Sequence, residues 1–213
     1  MPFNYEWYVK KQLTRIDSPN GRKYQTPEGN HYESVTTFLG RNDRDKFKGW
    51  EDSVGIEEAN RVRTRAASRG SLLHNLVESY VLGSPVDFGK NILIKDLFNQ
   101  FKKLVDKLST IHAIEYPLYS DVLKLAGTVD CVGVYNGKLS VVDFKTSNSR
   151  KDIGDIENYF LQCTIYSLMI EELYLIKIPQ IVIIIAVEGE EPQEFISDRK
   201  IWFPVLAKRL KER

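Results

Sequence analysis

Several residue types are scarce in this chain. Among 213 residues there are two cysteines, Cys131 and Cys163, and three histidines. Two thiols cannot by themselves supply a four-cysteine iron–sulfur cluster or zinc site, and their apolar sequence surroundings fit reduced, buried side chains of an intracellular protein. Neither sign of charge is in excess: 30 Lys and Arg against 29 Asp and Glu give +1. With no global basic field, any binding to phosphates must come from local patches. No apolar run reaches the ~20 residues of a membrane span. The opening MPFNYEWYVKK reads as neither a signal peptide nor a transit peptide, so a soluble, cytoplasmic protein with no membrane partner is expected. No G-x-x-x-x-G-K-[ST] loop occurs, so ATP is not expected as a cofactor. Repeats, low-complexity tracts and linkers are also lacking. A composition of 42% apolar and 11% aromatic residues suits one domain over 1–213 with a substantial core, divided into an N-terminal β extension (1–50) and a helical and sheet core (51–213).

What is present centres on residues 125–146, LAGTVDCVGVYNGKLSVVDFKT. Two runs rich in β-branched residues flank Asn136-Gly137, a pair that suits a two-residue type I′ hairpin because both central positions need φ > 0. With those two residues as the loop, Tyr135 faces Lys138, Asp130 faces Asp143 and Thr128 faces Lys145. The strand period of two puts Lys145 on the same face as Asp143. Opposed carboxylates repel unless something positive lies between them. A divalent cation is the natural candidate, and Asp, Asp and Lys suit Mg²⁺, which binds few carboxylates and engages substrate phosphates. A surface hairpin with an Asp–Lys salt bridge would alternate apolar and polar residues. Here Val129, Cys131, Val132 and Val134, with Val141, Val142 and Phe144, put apolar groups on both faces, the mark of a central, doubly covered pair.

The rest of the chain supplies candidate companions. Residues 5–39 read as β structure with turns at Ser18-Pro19-Asn20-Gly21 and Pro27-Glu28-Gly29-Asn30, the strand reading continuing through HYESVTTFL. The charge-crowded stretch 41–69 fits a solvated helix face laced with ion pairs. A helix is expected over 56–82, with Gly83 as its C-terminal cap and a kink or restart at Gly70-Ser71. On it Leu72, Leu73, Leu76, Val77 and Tyr80 form the apolar stripe. His74 and Glu78 share a neighbouring face, where spacing alone leaves His74 open between a hydrogen-bonded structural residue and a ligand. A second amphipathic helix is expected over 91–108, a strand carrying Glu115 over 113–119, and a helix from Asp152 or Asp155 to Leu173 with Gln162 and Tyr166 at i, i+4. Residues 180–187 read as a buried strand, 194–196 as a short edge strand, and the segment from Arg199 as a basic helix.

This order gives an α+β class with a central mixed β-sheet flanked by helices and an N-terminal β-hairpin. With GTVD, DFKT and a following helix, it resembles the PD-(D/E)XK nuclease superfamily. The D, D and K are Asp130, Asp143 and Lys145, and Val129 stands where a proline is usual. Four further pieces resemble the RecB-type exonuclease family, including its mitochondrial and phage members. They are HYESVTTFLG with Ser34 and Thr36, SRGSLLHNLVESY with Arg69 and His74, Glu115 before the GTVD strand, and the Q-x-x-x-Y of Gln162 and Tyr166. The resemblance covers roughly residues 30–170. It implies a metal-dependent exonuclease acting at ends of single-stranded DNA, in replication, recombination or repair, working as a monomer beside replication or recombination proteins. It also implies one or two Mg²⁺ or Mn²⁺ ions held by His74, Asp130, Asp143 and the backbone carbonyl of Phe144, with Lys145 completing the catalytic set and no iron–sulfur cluster. Glu115 and Glu78 would support that centre, and Gln162, Tyr166, Arg69, Ser34 and Thr36 would contact nucleic acid, Tyr166 either by base stacking or with its ring in the core. The alternatives are a restriction-like endonuclease and a nuclease-fold binding module without catalysis.

Overall fold

A computed structural model describes residues 4–5, 12–19 and 21–213, apart from the side chains at 4, 5 and 44–46. The β structure expected over 6–11, the turn position Asn20 and the charged side chains of Arg44, Asp45 and Lys46 lie outside the described residues. The chain opens with β1 (Asn4–Tyr5), β2 (Thr14–Ser18), β3 (Gly21–Gln25) and β4 (His31–Ser34). The strand expected through residue 39 stops at Ser34, which caps a short helix α1 (Val35–Gly40) by accepting the Thr37 N–H at 3.0 Å. Val35, Phe38 and Leu39 then fall on one helical face and are buried, so burial and the cap override the β-branched composition.

Next come α2 (Arg44–Val54), α3 (Ile56–Val81) and α4 (Ile92–Val105). The expected interruption of α3 is not there: the helix runs through Gly70 as one 26-residue element. Helix α4 ends three residues sooner than its apolar spacing suggests, because Leu108 already opens the long strand β5 (Leu108–Ser120). Strands β6 (Leu125–Tyr135) and β7 (Lys138–Ser147) form the expected hairpin, with Asn136 at φ 48° and Gly137 at φ 77°. A 3-10 turn capped by Asp152 and Asp155 leads into α5 (Glu157–Tyr174). Strands β8 (Gln180–Val187) and β9 (Gln193–Asp198) and helix α6 (Phe203–Lys211), with Pro204 in its first turn, complete the chain.

Among the described residues the nine strands make one mixed sheet in the order β2-β3-β4-β6-β7-β8-β9, with β5 on the other side of β6 and β1 along β5. Strand β8 shows why it is sandwiched. Ile181, Ile183 and Ile185 face a cluster with Phe38 of α1, Phe160 of α5 and Leu206 of α6, whereas Val182, Ile184 and Ala186 face a cluster with Leu73 and Leu76 of α3 and Phe101 of α4. Each such buried side chain contributes about 1.5–3 kcal/mol, so the two helical layers clamp the central strands from both sides. Cys131 and Cys163 are free and buried, one on each face. No helix among the described residues is long and apolar enough to cross a membrane.

Candidate active site

The β6–β7 ladder has the expected register, Tyr135 opposite Lys138 through Cys131 opposite Val142. It ends there, one rung short of the expected Asp130–Asp143 pair, and Thr128 does not pair with Lys145. The physical reason is a change of partner. The first residues of β6, Leu125 and Ala126, run parallel with Glu33 and Ser34 of β4. Residues 127–130 lie between the two ladders, where the sheet splits. Asp130 bridges the split by side chain: its Oδ2 accepts the Phe144 N–H at 2.8 Å, satisfying a buried donor that the ladder leaves behind.

The inward and outward alternation also slips at this rung. Val129 and Val132 pack on the α5 side while Cys131 packs on the α3 side; on β5, Ile114 and Tyr116 likewise fall on opposite sides. Ile114 and Tyr116 pair with Cys131 and Val129, so the two slips are adjacent, at Glu115 and Asp130. Glu115 makes its slip by adopting φ 43°, a left-handed conformation that costs a non-glycine residue roughly 1–3 kcal/mol.

His74 of α3 reaches the same place from the other layer. Its Nδ1 lies 2.9 Å from Glu115 Oε1 and its Nε2 2.9 Å from the Phe144 carbonyl oxygen, with Asp130 Oδ2 at 3.7 Å. The ring is held edge-on against Phe144, centroids 6.2 Å apart. Burial works to lower its pKa, but the Asp130 and Glu115 carboxylates outweigh burial and push it up to about 9. From β7, Asp143 and Lys145 share a face as expected, and the Lys145 ammonium bonds Asp143 Oδ1. Gln162 of α5 donates to the same oxygen at 3.0 Å. Burial raises the Asp143 carboxyl above the usual range, Lys145 opposing the rise and Asp130 adding to it. Burial acts against the charge on Lys145, yet Asp143 and Asp130 keep it firmly protonated.

These atoms fit a divalent cation. Asp143 Oδ2 is buried with no hydrogen-bond partner, a costly state for a carboxylate oxygen. His74, Glu115 and Asp130 present ligand atoms within 4.8 Å of one another. His74 Nε2 and the Phe144 carbonyl oxygen are hydrogen-bonded to each other at 2.9 Å, and both would be within reach of an ion bound beside Asp130. Glu115 engages Nδ1 and so helps to orient the imidazole, while its own carboxylate is one of the three groups within reach of an ion.

Two cavities meet at His74. A cleft of about 500 Å³ on the α1 and α5 side is lined by Asp130, Lys145, Gln162 and Tyr166, with Ser34 and Thr36 on its lip. A second, of about 330 Å³ on the α3 side, is lined by Glu78 and Glu115. The Ser34 hydroxyl is committed to capping α1, while Thr36 is exposed. Tyr166 does not offer a face for base stacking: its ring is buried in the core, and its hydroxyl closes on Gly127, where a Cβ would come within 2.6 Å. Arg69 is not brought to the cleft. It lies buried beside a separate cavity, bonded to Asn148 and to Glu188, which pulls it away from the His74 layer. Sequence reasoning missed Tyr159, whose ring Lys145 Nζ approaches at 5.0 Å, and the bonded pair Asp43 and Asn158 on the cleft wall. Tyr159, one residue after Asn158 and three before Gln162, was legible as a neighbour on α5. It also missed Arg15, Arg22 and Tyr24 of the β2–β3 hairpin, which carry no local signal of the cleft they line.

No protein-family model matches the chain. It is 31% identical over 162 residues to the human mitochondrial genome maintenance exonuclease 1, covering 68% of this chain and 46% of the human protein. The mouse counterpart is 38% identical over 50 residues, 24% of this chain and 15% of the mouse protein. The chain thus spans less than half the length of these curated relatives. A crystal structure of a protein from Eubacterium rectale, provisionally described as an exonuclease, is similar with a TM-score of 0.45 and 18% identity, covering 68% of this chain and 64% of that one. Over two thirds of its length the chain is thus similar in sequence to part of the human mitochondrial genome maintenance exonuclease 1.

Proposed function

We propose that the cleft hydrolyses phosphodiester bonds at the ends of single-stranded DNA with Mg²⁺ or Mn²⁺ as cofactor. What supports this reading is that His74, Asp130 and Lys145 line one cleft at the sheet split, with Asp143 bonded to Lys145 and keeping a buried, unpartnered carboxylate oxygen. His74 Nε2, Asp130, Asp143 and the Phe144 carbonyl would hold the ion. When bound, it acidifies a water and polarises the phosphate. The chain's own residues do the rest. Lys145, kept charged by its carboxylate neighbours, neutralises charge on the phosphate as the water oxygen bonds to phosphorus and the bond to the leaving oxygen breaks. In that charged form its part is electrostatic, and the proton lost by the water is released to solvent. Gln162 fixes Asp143, and Glu115 fixes His74. The relatives' description as exonucleases supports action at a strand end.

End-labelled linear single-stranded DNA, a covalently closed circle and a duplex, each with Mg²⁺ or Mn²⁺, test the reading. Loss of the linear strand, abolished by chelation and sparing the circle, is expected. Cutting of the circle would replace exonuclease with endonuclease, and binding without cleavage would leave a binding module. Labelling each end in turn reads the polarity.

A further inference from the structure

We propose that the β2–β3 hairpin is a phosphate-binding arm of the cleft, in which Arg15 and Arg22 hold the backbone of the incoming strand and Asp17 occupies both guanidinium groups until the strand displaces it. The inference rests on the nuclease reading of the same cleft and adds a function for a segment outside its acidic floor.

The register places the groups together. Arg15 lies opposite Tyr24 and Asp17 opposite Arg22, so the strand period of two puts all four on one face of the hairpin. Arg15, Arg22 and Tyr24 line the same cleft as Asp130, His74 and Lys145. The floor is rich in carboxylates, which repel a polyanion beyond the reach of the cation and Lys145, and the arginines supply opposite charge at the far wall. Arg15 Nε bonds Asp17 at 2.7 Å and Arg22 Nε bonds it at 3.1 Å. Their side chains are 53% and 36% exposed and that of Asp17 is 60% exposed. Exposed pairs of this kind are weak, so exchanging the carboxylate for a phosphate meets little resistance, and guanidinium geometry suits phosphate oxygens. The two arginines, Arg15 foremost, hold the Asp17 carboxyl below its usual range, as expected of one anion shared by two cations.

The arm is docked. The Arg22 N–H donates to Thr37 Oγ1 of α1 at 3.2 Å, and Gly21, at φ 111°, sits so close that a Cβ would meet Thr37 Cγ2 at 2.5 Å. Tyr24 packs against the cluster of Tyr32, Tyr119 and Ala126. The arginines therefore stand at a fixed place relative to the catalytic floor.

Binding of a fluorescent single-stranded oligodeoxynucleotide, measured with chelator present across a NaCl series, tests the arm. Each phosphate contact contributes a slope of about 0.7 to log affinity against log salt for single strands. R15A/R22A is expected to lower the slope by about 1.4 and weaken binding roughly tenfold, and in cleavage to raise KM with kcat little changed. R15K/R22K should keep the slope, and D17N should tighten binding. An R15A/R22A slope and KM equal to those of the unaltered protein, or weaker binding by D17N, would overturn the arm while leaving the nuclease reading intact. Cleavage absent but slope reduced would overturn the nuclease reading and keep the arm as a binding element. Failure of the unaltered protein to bind the oligonucleotide under these conditions overturns the arm, and the nuclease reading is then judged by cleavage with Mn²⁺ alone.

Discussion

On the inner wall of the cleft, Lys145 and Gln162 both donate to Asp143 and all three are largely removed from water, whereas on the outer wall Arg15 and Arg22 stand half in solvent and share one carboxylate. The inner groups are locked by burial and by a sheet that splits beneath them. They are arranged before substrate arrives and need not reorganise as charge develops. The outer groups are exchangeable. On the proposed reading, charge that would act on a reacting phosphate is fixed, and charge that would release a passing backbone is loosely held.

The comparison is tested most sharply on the inner wall. Lys145→Ala should lower kcat about 10²–10³-fold while oligonucleotide binding persists; single-turnover cleavage and fluorescence anisotropy read the two separately. Unchanged turnover would remove Lys145 from the mechanism. Glu115→Gln should weaken Mn²⁺ binding about 10–100-fold by titration calorimetry, because the imidazole loses its orienting carboxylate. Glu115→Gly should do the same yet gain about 1 kcal/mol in urea unfolding, since glycine adopts φ 43° without strain. A gain of metal affinity in either variant would place Glu115 in competition with the site.

Gly127→Ala should cost about 1–3 kcal/mol, as overpacking against the Tyr166 hydroxyl, and Tyr166→Phe in that background should recover part of it in a double-mutant cycle. On the outer wall Gly21→Ala, strained at φ 111° by about 1–3 kcal/mol, should displace the hairpin from Thr37 and reproduce the raised KM of R15A/R22A. An unchanged KM in that variant would mean that docking on Thr37 does not position the arm.

Much of the inner wall could be read from residues alone. Asn136-Gly137 sets a register that the β6–β7 ladder follows, and the period of two puts Lys145 beside Asp143. The run at 180–187 needed no partner to be recognised as buried. The partner switch of β6 was not legible, because it depends on β4 meeting Leu125 and Ala126 across some ninety residues of chain. Helix α1 was legible in principle: Ser34 is a capping residue and Val35, Phe38 and Leu39 follow helical spacing, but β-branched residues suggested a strand. The outer wall gave no sign because TRIDS, read locally, is a polar edge strand with ordinary ion pairs. Its meaning comes from what it faces.

The bond from the Phe144 N–H to Asp130 has a consequence for experimental controls. Asp130 is at once a candidate ligand and the tie that closes the split sheet, so Asp130→Ala removes both and leaves a buried backbone donor unpaired. An inactive Asp130 variant therefore reports damage and lost chemistry together. The Lys145 variant, whose side chain carries no such backbone bond, is the cleaner inert reference for trapping a bound strand.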